Sequence, residues 1–544
     1  MKPKKWFYIG AAVLVGATAF TQVEDYHEVS KNLDIFASVY KEVNTSYVDE
    51  VQPGSLIREA IDGMLGSLDP YTNFYSESQS QDYRFQVTGT YGGIGAIINK
   101  HGENLVVSRV HEGYPAHTAG IIAGDILKKV DGKSVEGKTS SDLSDLLKGT
   151  AGTTIVITID RPYEGVKEFT FKRAQVKVKN VPYFGMVDDK TGYIKLTGFT
   201  PDAGNEVYNA AKTLKGQGAK SIILDLRGNG GGLLHEAVNI VNVFVKKNQI
   251  VVTTKGKNQK DGEYKTLNAP LDLDIPLAVL IDKGSASASE IVSGTIQDLD
   301  RGVIIGTQSF GKGLVQTSRV LTYNTQMKIT TSKYYIPSGR CIQRLDYSNK
   351  KDGHAISVAD SLKRIFYTAN KRKVIDGEGV NPDVVVGMDI LSKIGSSLIN
   401  NYLIFDYATL YRHKNDSIVS AKNFRFTDSD FEDFKRFLSD KEYSYETETE
   451  RAIKQLEKEA EDEKYSSSLK ASIDALKADF EKNKQADLER HKAEIMQLLE
   501  SEIASRYYFD RAEIETTFDS DPDINKAISV FSSPQYTLLL KGTN

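Results

Sequence analysis

The chain has 544 residues, 40% of them apolar and 26% charged, with a formal net charge of −4. That length holds three or four domains with ample core, the composition is that of an ordinary soluble protein, and the charge gives no electrostatic case for binding nucleic acid. The single cysteine, Cys341, rules out an internal disulfide, so the fold rests on packing rather than on cross-links.

Lys2, Lys4 and Lys5 precede an uncharged run from Trp6 to Phe20 that ends in Ala17-Thr18-Ala19. A basic start, a short apolar stretch and a small-x-small site describe a secretory signal over residues 1–20. The run is short for a span of ~20 residues, although an uncleaved anchor is compatible with it. No cysteine lies near its end, which excludes attachment as a lipoprotein. The expected location is outside the cytoplasm, either periplasmic or anchored to the membrane facing the periplasm.

Residues 21–84 read as helical. Leu33, Phe36, Val39, Tyr40 and Val43 form one stripe and Leu56, Ala60, Ile61 and Leu65 a second, which predicts a core or a partner helix. Residues 85–174 change to short strands and turns. Tyr91-Gly92-Gly93-Ile94-Gly95 places glycines before a strand, Pro115 to Gly120 predicts a short helix, and Asp131-Gly132 a turn. That order resembles a PDZ domain of the bacterial, permuted kind. The resemblance implies that the loop Tyr91, Gly92, Gly93, Ile94, Gly95 offers amides to a C-terminal carboxylate while the adjoining strand edge takes the peptide as an added strand.

Residues 175–388 alternate strand and helix. Ser221 to Leu226 is a buried strand, followed by Arg227-Gly228-Asn229-Gly230-Gly231-Gly232 and a helix from Leu233. A glycine run between strand and helix aims N–H groups at an anion; its spacing is wrong for a phosphate and suits a small oxyanion. Pro276 to Ile281 is a second buried strand. Ser285-Ala286-Ser287-Ala288-Ser289-Glu290 then opens a helix, an arrangement that can present a nucleophilic hydroxyl at the end of a sheet. Ser287-x-x-Glu290 also fits a capping box, the blander role for a serine there. Gly306 to Lys312 fits G-x-x-x-x-G-K, but Gly313 and a strand-like stretch follow, against a nucleotide loop. Lys312 is the candidate base for the serine. His235 sits inside a predicted helix, and His111-Glu112 with His117 is not H-E-x-x-H, so no zinc site, metal or organic cofactor is implied. Residues 389–544 lose glycine and gain Glu, Lys and Ala. Arg451 to Leu499 predicts long amphipathic helices with a break at Tyr465 to Ser468.

Together the leader, Ser67-Leu68-Asp69-Pro70-Tyr71, Tyr91 to Gly95, Leu224 to Asn229, Gly284 to Ile291, and Gly311-Lys312-Gly313 with Gln316 resemble the carboxy-terminal processing (tail-specific) proteases over roughly Val23 to Val386. The resemblance implies an α/β multidomain protein: an α/β protease core with an inserted PDZ-like β-rich domain, a helical N-terminal segment and a charged helical C-terminal extension. It implies a Ser–Lys dyad in which the middle serine, Ser287, is the nucleophile and Lys312, 25 positions later, the base, with Gln316 orienting the lysine. Oxyanion amides would come from Ala288 and from Gly231 or Gly232; Gly230 stands where the family usually carries proline. Burial against Phe310, Leu314 and Val315 would favour the neutral amine that a base requires.

The expected function is an exported serine endopeptidase that captures the unstructured C-terminal tails of protein substrates and cleaves through an acyl-enzyme. A non-catalytic PDZ scaffold binding C-terminal peptides is the alternative. Attachment to the inner membrane through the N-terminal segment and a homodimer are both compatible with the sequence.

Overall fold

The computed structural model describes residues 27–77, 79, 83, 85, 87–257, 259–351, 353–387 and 391–542. The expected leader, residues 1–20, lies outside them. No helix among the described residues is long and apolar enough to cross a membrane. The chain divides into two compact units, one of Met1–Ser80 with Gln316–Thr330 and one of Gln81–Val315 with Thr331–Asn544.

In the first unit, residues 27–46 form helix α1, and α2 (Pro53–Gly66) starts with proline at its first turn, where no N–H is needed. Asp69 stops the helical run by accepting the N–H groups of Tyr71 and Thr72, each at 2.8 Å. Strand β1 (Asn73–Tyr75) then pairs antiparallel with residues 326–328. Among the described residues the α1 stripe is only partly covered: Leu33, Phe36 and Val39 are exposed, Tyr40 and Val43 half-buried.

The second unit begins with β2 (Thr90–Gly93), β3 (Ala96–His101), β4 (Asn104–Val110), α3 (Pro115–Ala119), β5 (Ile126–Val130), α4 (Ser140–Leu147), β6 (Thr154–Arg161), β7 (Gly165–Lys172) and β8 (Ala174–Lys177). Strands β3-β4-β5-β6-β7 make one sheet in that order, so β3 is an edge, with α4 beside it. Ile155, Ile157 and Ile159 alternate inward from β6 onto Leu127, Val130 and Leu143. Tyr91-Gly92-Gly93 departs from the predicted loop, because these residues are strand β2, paired with β8. Glycine at 92 permits close approach: a Cβ there would stand 2.0 Å from the Gly149 carbonyl oxygen. Only Ile94 and Gly95 make the turn into β3, Gly95 at φ +76°.

Next come β9 (Tyr183–Met186), β10 (Thr191–Lys195), α5 (Ala203–Gly216), β11 (Ser221–Asp225), α6 (Leu234–Phe244), β12 (Ile250–Gly256), β13 (Leu277–Ile281), α7 (Ala288–Asp298), β14 (Val303–Gly306), β15 (Leu314–Val320), β16 (Gln326–Tyr335) and β17 (Val384–Val385). The main sheet has the order β9-β10-β11-β13-β14-β17, parallel except for β9. Its strands read as unbroken apolar runs because both faces are covered. Ile222, Leu224, Leu277 and Val279 pack against α5, α6 and α7. On the other face Tyr193, Ile223, Ala278, Leu280 and Ile305 pack against Phe518, Ile524, Ala527 and Val530.

Those last residues belong to the C-terminal helical region, Phe518 in the turn before α15: α8 (Lys393–Asn400), α9 (Leu403–Lys414), α10 (Asp428–Leu438), α11 (Glu448–Asp462), α12 (Ser466–Gln485), α13 (Lys492–Tyr508), α14 (Asp510–Glu515), α15 (Pro522–Phe531) and α16 (Gln535–Lys541). The α8–α10 and α13 segments build a core of their own around Tyr407, Phe431, Phe434 and Leu499. The stretch around α15 instead forms the second cover of the main sheet. Phe518→Ala is therefore expected to cost about 3–5 kcal/mol, read by urea unfolding of the full chain followed by far-UV circular dichroism. An unchanged midpoint would show that this segment is not part of the core.

Candidate active site

Three loops leave the carboxyl ends of β11, β13 and β14 side by side, the place where open parallel sheets bind ligands. The first, residues 226–233, carries the glycine run; the second, residues 282–287, leads to the serine; the third, residues 307–313, leads to the lysine. Polar groups knit them together. Gly228 N–H donates to Asp282 Oδ1 at 2.9 Å, and the Ser285 hydroxyl donates to the Leu226 carbonyl at 2.9 Å. Phe310 N–H donates to the Ser285 carbonyl at 3.0 Å.

Ser287 is half-buried and stands at the N-terminus of α7 with φ +56° and ψ −111°. A non-glycine residue in that region is strained, by roughly 1–3 kcal/mol, and such strain gathers at functional sites. The next residue, Ala288, holds the first helical position, whose N–H has no intrahelical acceptor. Gly231 lies directly against this turn. At its φ of +95° a Cβ would stand 2.6 Å from the Ala286 carbonyl oxygen, 2.8 Å from the Ala288 nitrogen and 2.9 Å from the Ser287 Cβ. The expected neighbours Ser287, Ala288 and Gly231 are thus together. Gly231 N–H, however, is already donated to Asn229 Oδ1 at 2.9 Å. Gly232, at φ +157°, is bridged to Phe199.

Asn229 is a site residue that its glycine-rich setting conceals. It is buried, its Nδ2 donates to the Leu196 carbonyl at 2.8 Å, and its own carbonyl accepts from Ala286 N–H at 3.0 Å and from the Ser289 hydroxyl at 2.8 Å. One residue therefore shapes the glycine loop through its side chain and holds it against the serine turn through its backbone carbonyl.

Glu290 is the second such residue. It keeps the carboxylate half of the capping box, accepting Ser287 N–H on Oε2 at 2.8 Å. The same oxygen accepts Lys312 N–H at 2.9 Å, while Oε1 accepts Gly311 N–H at 2.7 Å and the Ser309 hydroxyl at 2.6 Å. Burial pushes the Glu290 carboxyl above its usual range, and these four donors act in the opposite direction. The fully buried Tyr334 hydroxyl adds a second clamp, 2.7 Å from the Lys312 carbonyl oxygen and 3.1 Å from that of Ser287. Serine and lysine backbones, 25 residues apart in sequence, thus share two partners.

Lys312 is half-buried. Of the residues expected to wall it, Leu314 is buried and Val315 packs on the core, whereas Phe310 is half-buried with the Arg344 guanidinium 5.9 Å from its ring centre. Gln316 lies on β15, and its side-chain amide donates to Thr330 Oγ1 at 3.2 Å. His235 is exposed at the start of α6.

The model of peptidase family S41 matches residues 190–349, that of a PDZ domain residues 106–161, and that of the C-terminal helical domain of probable PDZ-proteases residues 394–531. The carboxy-terminal-processing protease of Bartonella bacilliformis is 37% identical over 342 residues, spanning 62% of this chain and 78% of that one. The chain belongs to peptidase family S41. It is a serine-type peptidase of α/β architecture with a PDZ domain. A probable CtpA-like serine protease of Staphylococcus aureus is 33% identical over 355 residues, 62% of this chain and 71% of that one. Among solved structures, the photosystem II D1 C-terminal processing protease matches with 27% identity and a TM-score of 0.36, covering 66% of this chain and 93% of that one.

Proposed function

We propose that this S41 peptidase cleaves protein substrates upstream of unstructured C-terminal tails, with Ser287 as nucleophile and Lys312 as its base. The supporting observation is the shared anchoring of the two backbones: Ser287 N–H and Lys312 N–H meet on one Glu290 oxygen, and their carbonyls meet at the Tyr334 hydroxyl.

A serine hydroxyl is a weak nucleophile until a neighbour removes its proton, and a neutral lysine amine can do so. In the proposed sequence Lys312 Nζ takes the Ser287 Oγ proton as Oγ adds to the scissile carbonyl carbon. The resulting oxyanion sits by the N–H of Ala288 and an amide of the glycine loop. Because Gly231 N–H is held by Asn229, Gly232 is the freer candidate unless Asn229 lets go on substrate binding. The lysine ammonium then protonates the departing amine. Water, deprotonated by the same lysine, releases the acyl group. Gln316 is assigned the task of orienting Lys312 once substrate is bound.

The PDZ domain supplies capture. Edge strand β3 beside α4 suits an added peptide strand, and a tethered tail raises the local concentration of the scissile bond. Export is part of the proposal and rests on the basic and apolar character of residues 1–20. The full chain, given a polypeptide with an unstructured apolar tail, is expected to yield discrete internal cleavages by mass spectrometry and to be labelled at Ser287 by a fluorophosphonate. Amidating the tail carboxylate should raise KM with little change in kcat. Binding without turnover or labelling would reject the dyad.

A further inference from the structure

The glycine loop is held from a second side, by the C-terminal helices. Arg227, the residue before the loop, is bound by three carboxylates. Its Nη2 meets Asp225 Oδ2 at 2.7 Å and Asp521 Oδ2 at 2.8 Å, and its Nη1 meets Asp523 Oδ2 at 2.7 Å and Asp521 Oδ1 at 3.1 Å. Asp225 is fully buried at the end of β11 and also accepts the Tyr193 hydroxyl at 2.6 Å. Lys195 Nζ, 3.2 Å from Asp225, reaches the Arg227 carbonyl at 3.0 Å. Asp521 is at the same time the N-cap of α15, accepting the N–H groups of Asp523 and Ile524. The guanidinium fork and backbone of Arg227 are thereby fixed between the main sheet and the helix that covers it. Burial alone would lower the Arg227 pKa, and the carboxylates overcome it and raise it.

We propose that α15 is a positioning element of the catalytic centre: Asp521 and Asp523 hold Arg227, and through it the 228–232 loop, at the distance from Ser287 that oxyanion stabilisation requires. This rests on the reading of Ser287 as nucleophile and of the glycine loop as oxyanion site. Donors of this kind act only when aimed at the place where charge develops, so a small displacement of the loop costs rate rather than binding. Arg227 and Asp523 lie 296 residues apart, so the C-terminal segment is tied to the chemistry and not merely appended to it.

The test uses the full chain carrying Asp521→Asn, Asp523→Asn and both. Asparagine caps a helix as well as aspartate does, and Arg227 keeps Asp225, so α15 is expected to stay folded. In the double variant kcat should fall about 10- to 100-fold. Affinity for a peptidyl boronate, whose serine adduct is tetrahedral and anionic, should fall by the same factor, while KM changes less than about twofold. Asp519→Asn, in the same segment but exposed and paired with Arg425, should match wild type. Wild-type kcat and boronate affinity in the double variant, with or without a lowered Tm, would overturn the proposal, and so would a rise in KM alone. If wild-type chain is neither labelled at Ser287 by a fluorophosphonate nor bound by the boronate, the nucleophile assignment falls and takes the proposal with it. Labelled wild type with an undiminished double variant removes the proposal alone.

Discussion

Ser287→Ala is expected to lower kcat/KM by about 10,000-fold or more, because a lost nucleophile leaves only binding and oxyanion stabilisation. Lys312→Ala should fall into the same range, and the double variant should be scarcely worse than either, since groups that act as a unit do not add. The backbone at 287 sharpens this expectation. With φ at +56°, the serine occupies a region that glycine enters without penalty. Ser287→Gly should therefore be inactive yet at least as stable as wild type in urea, relieving strain at the cost of some unfolded-state entropy. A serine that merely capped α7 would behave in the opposite way, losing stability on substitution and leaving turnover unchanged. Peptide hydrolysis measured beside urea midpoints separates the two roles.

Much of the catalytic core was legible from local pattern. Strands β11 and β13 are buried on both faces, so their apolar runs announce them without any partner being known. Ser287, Lys312 and the glycine loop sit in short motifs whose chemistry is readable residue by residue. What local pattern conceals is contact at long range. Glu290 looks like half of a capping box, and only the fold shows that its second allegiance is to Gly311 and Lys312. Arg227 gives no sign in sequence that its acids stand at 521 and 523. Tyr91-Gly92-Gly93 reads as a loop yet is strand for a physical reason: glycine weakens strands, but here it lets β2 pass close to the Gly149 carbonyl. The α1 stripe has helical spacing, as expected, but periodicity says that a face is apolar and not what covers it.

Glu290→Gln should damage both rate and stability, though less than removal of the nucleophile damages rate, for a reason visible in its hydrogen bonds. Each carboxylate oxygen accepts two donors, Ser309 and Gly311 on Oε1, Ser287 and Lys312 on Oε2. A glutamine amide can offer its oxygen to only one pair, and its NH2 group must face the other. Whichever way the amide turns, buried N–H groups lose an acceptor, at about 1–3 kcal/mol for each unsatisfied donor. If the Oε2 pair is the one abandoned, Ser287 and Lys312 lose their common anchor, and kcat should fall about 100-fold or more as their spacing relaxes. Glu290→Asp retains the charge but is one methylene shorter, so it should recover stability better than rate. Thermal unfolding and turnover of the two variants, measured together, check this: equal recovery of both by aspartate would make Glu290 a fold residue only, while stability regained ahead of rate would place it in the alignment of serine with lysine.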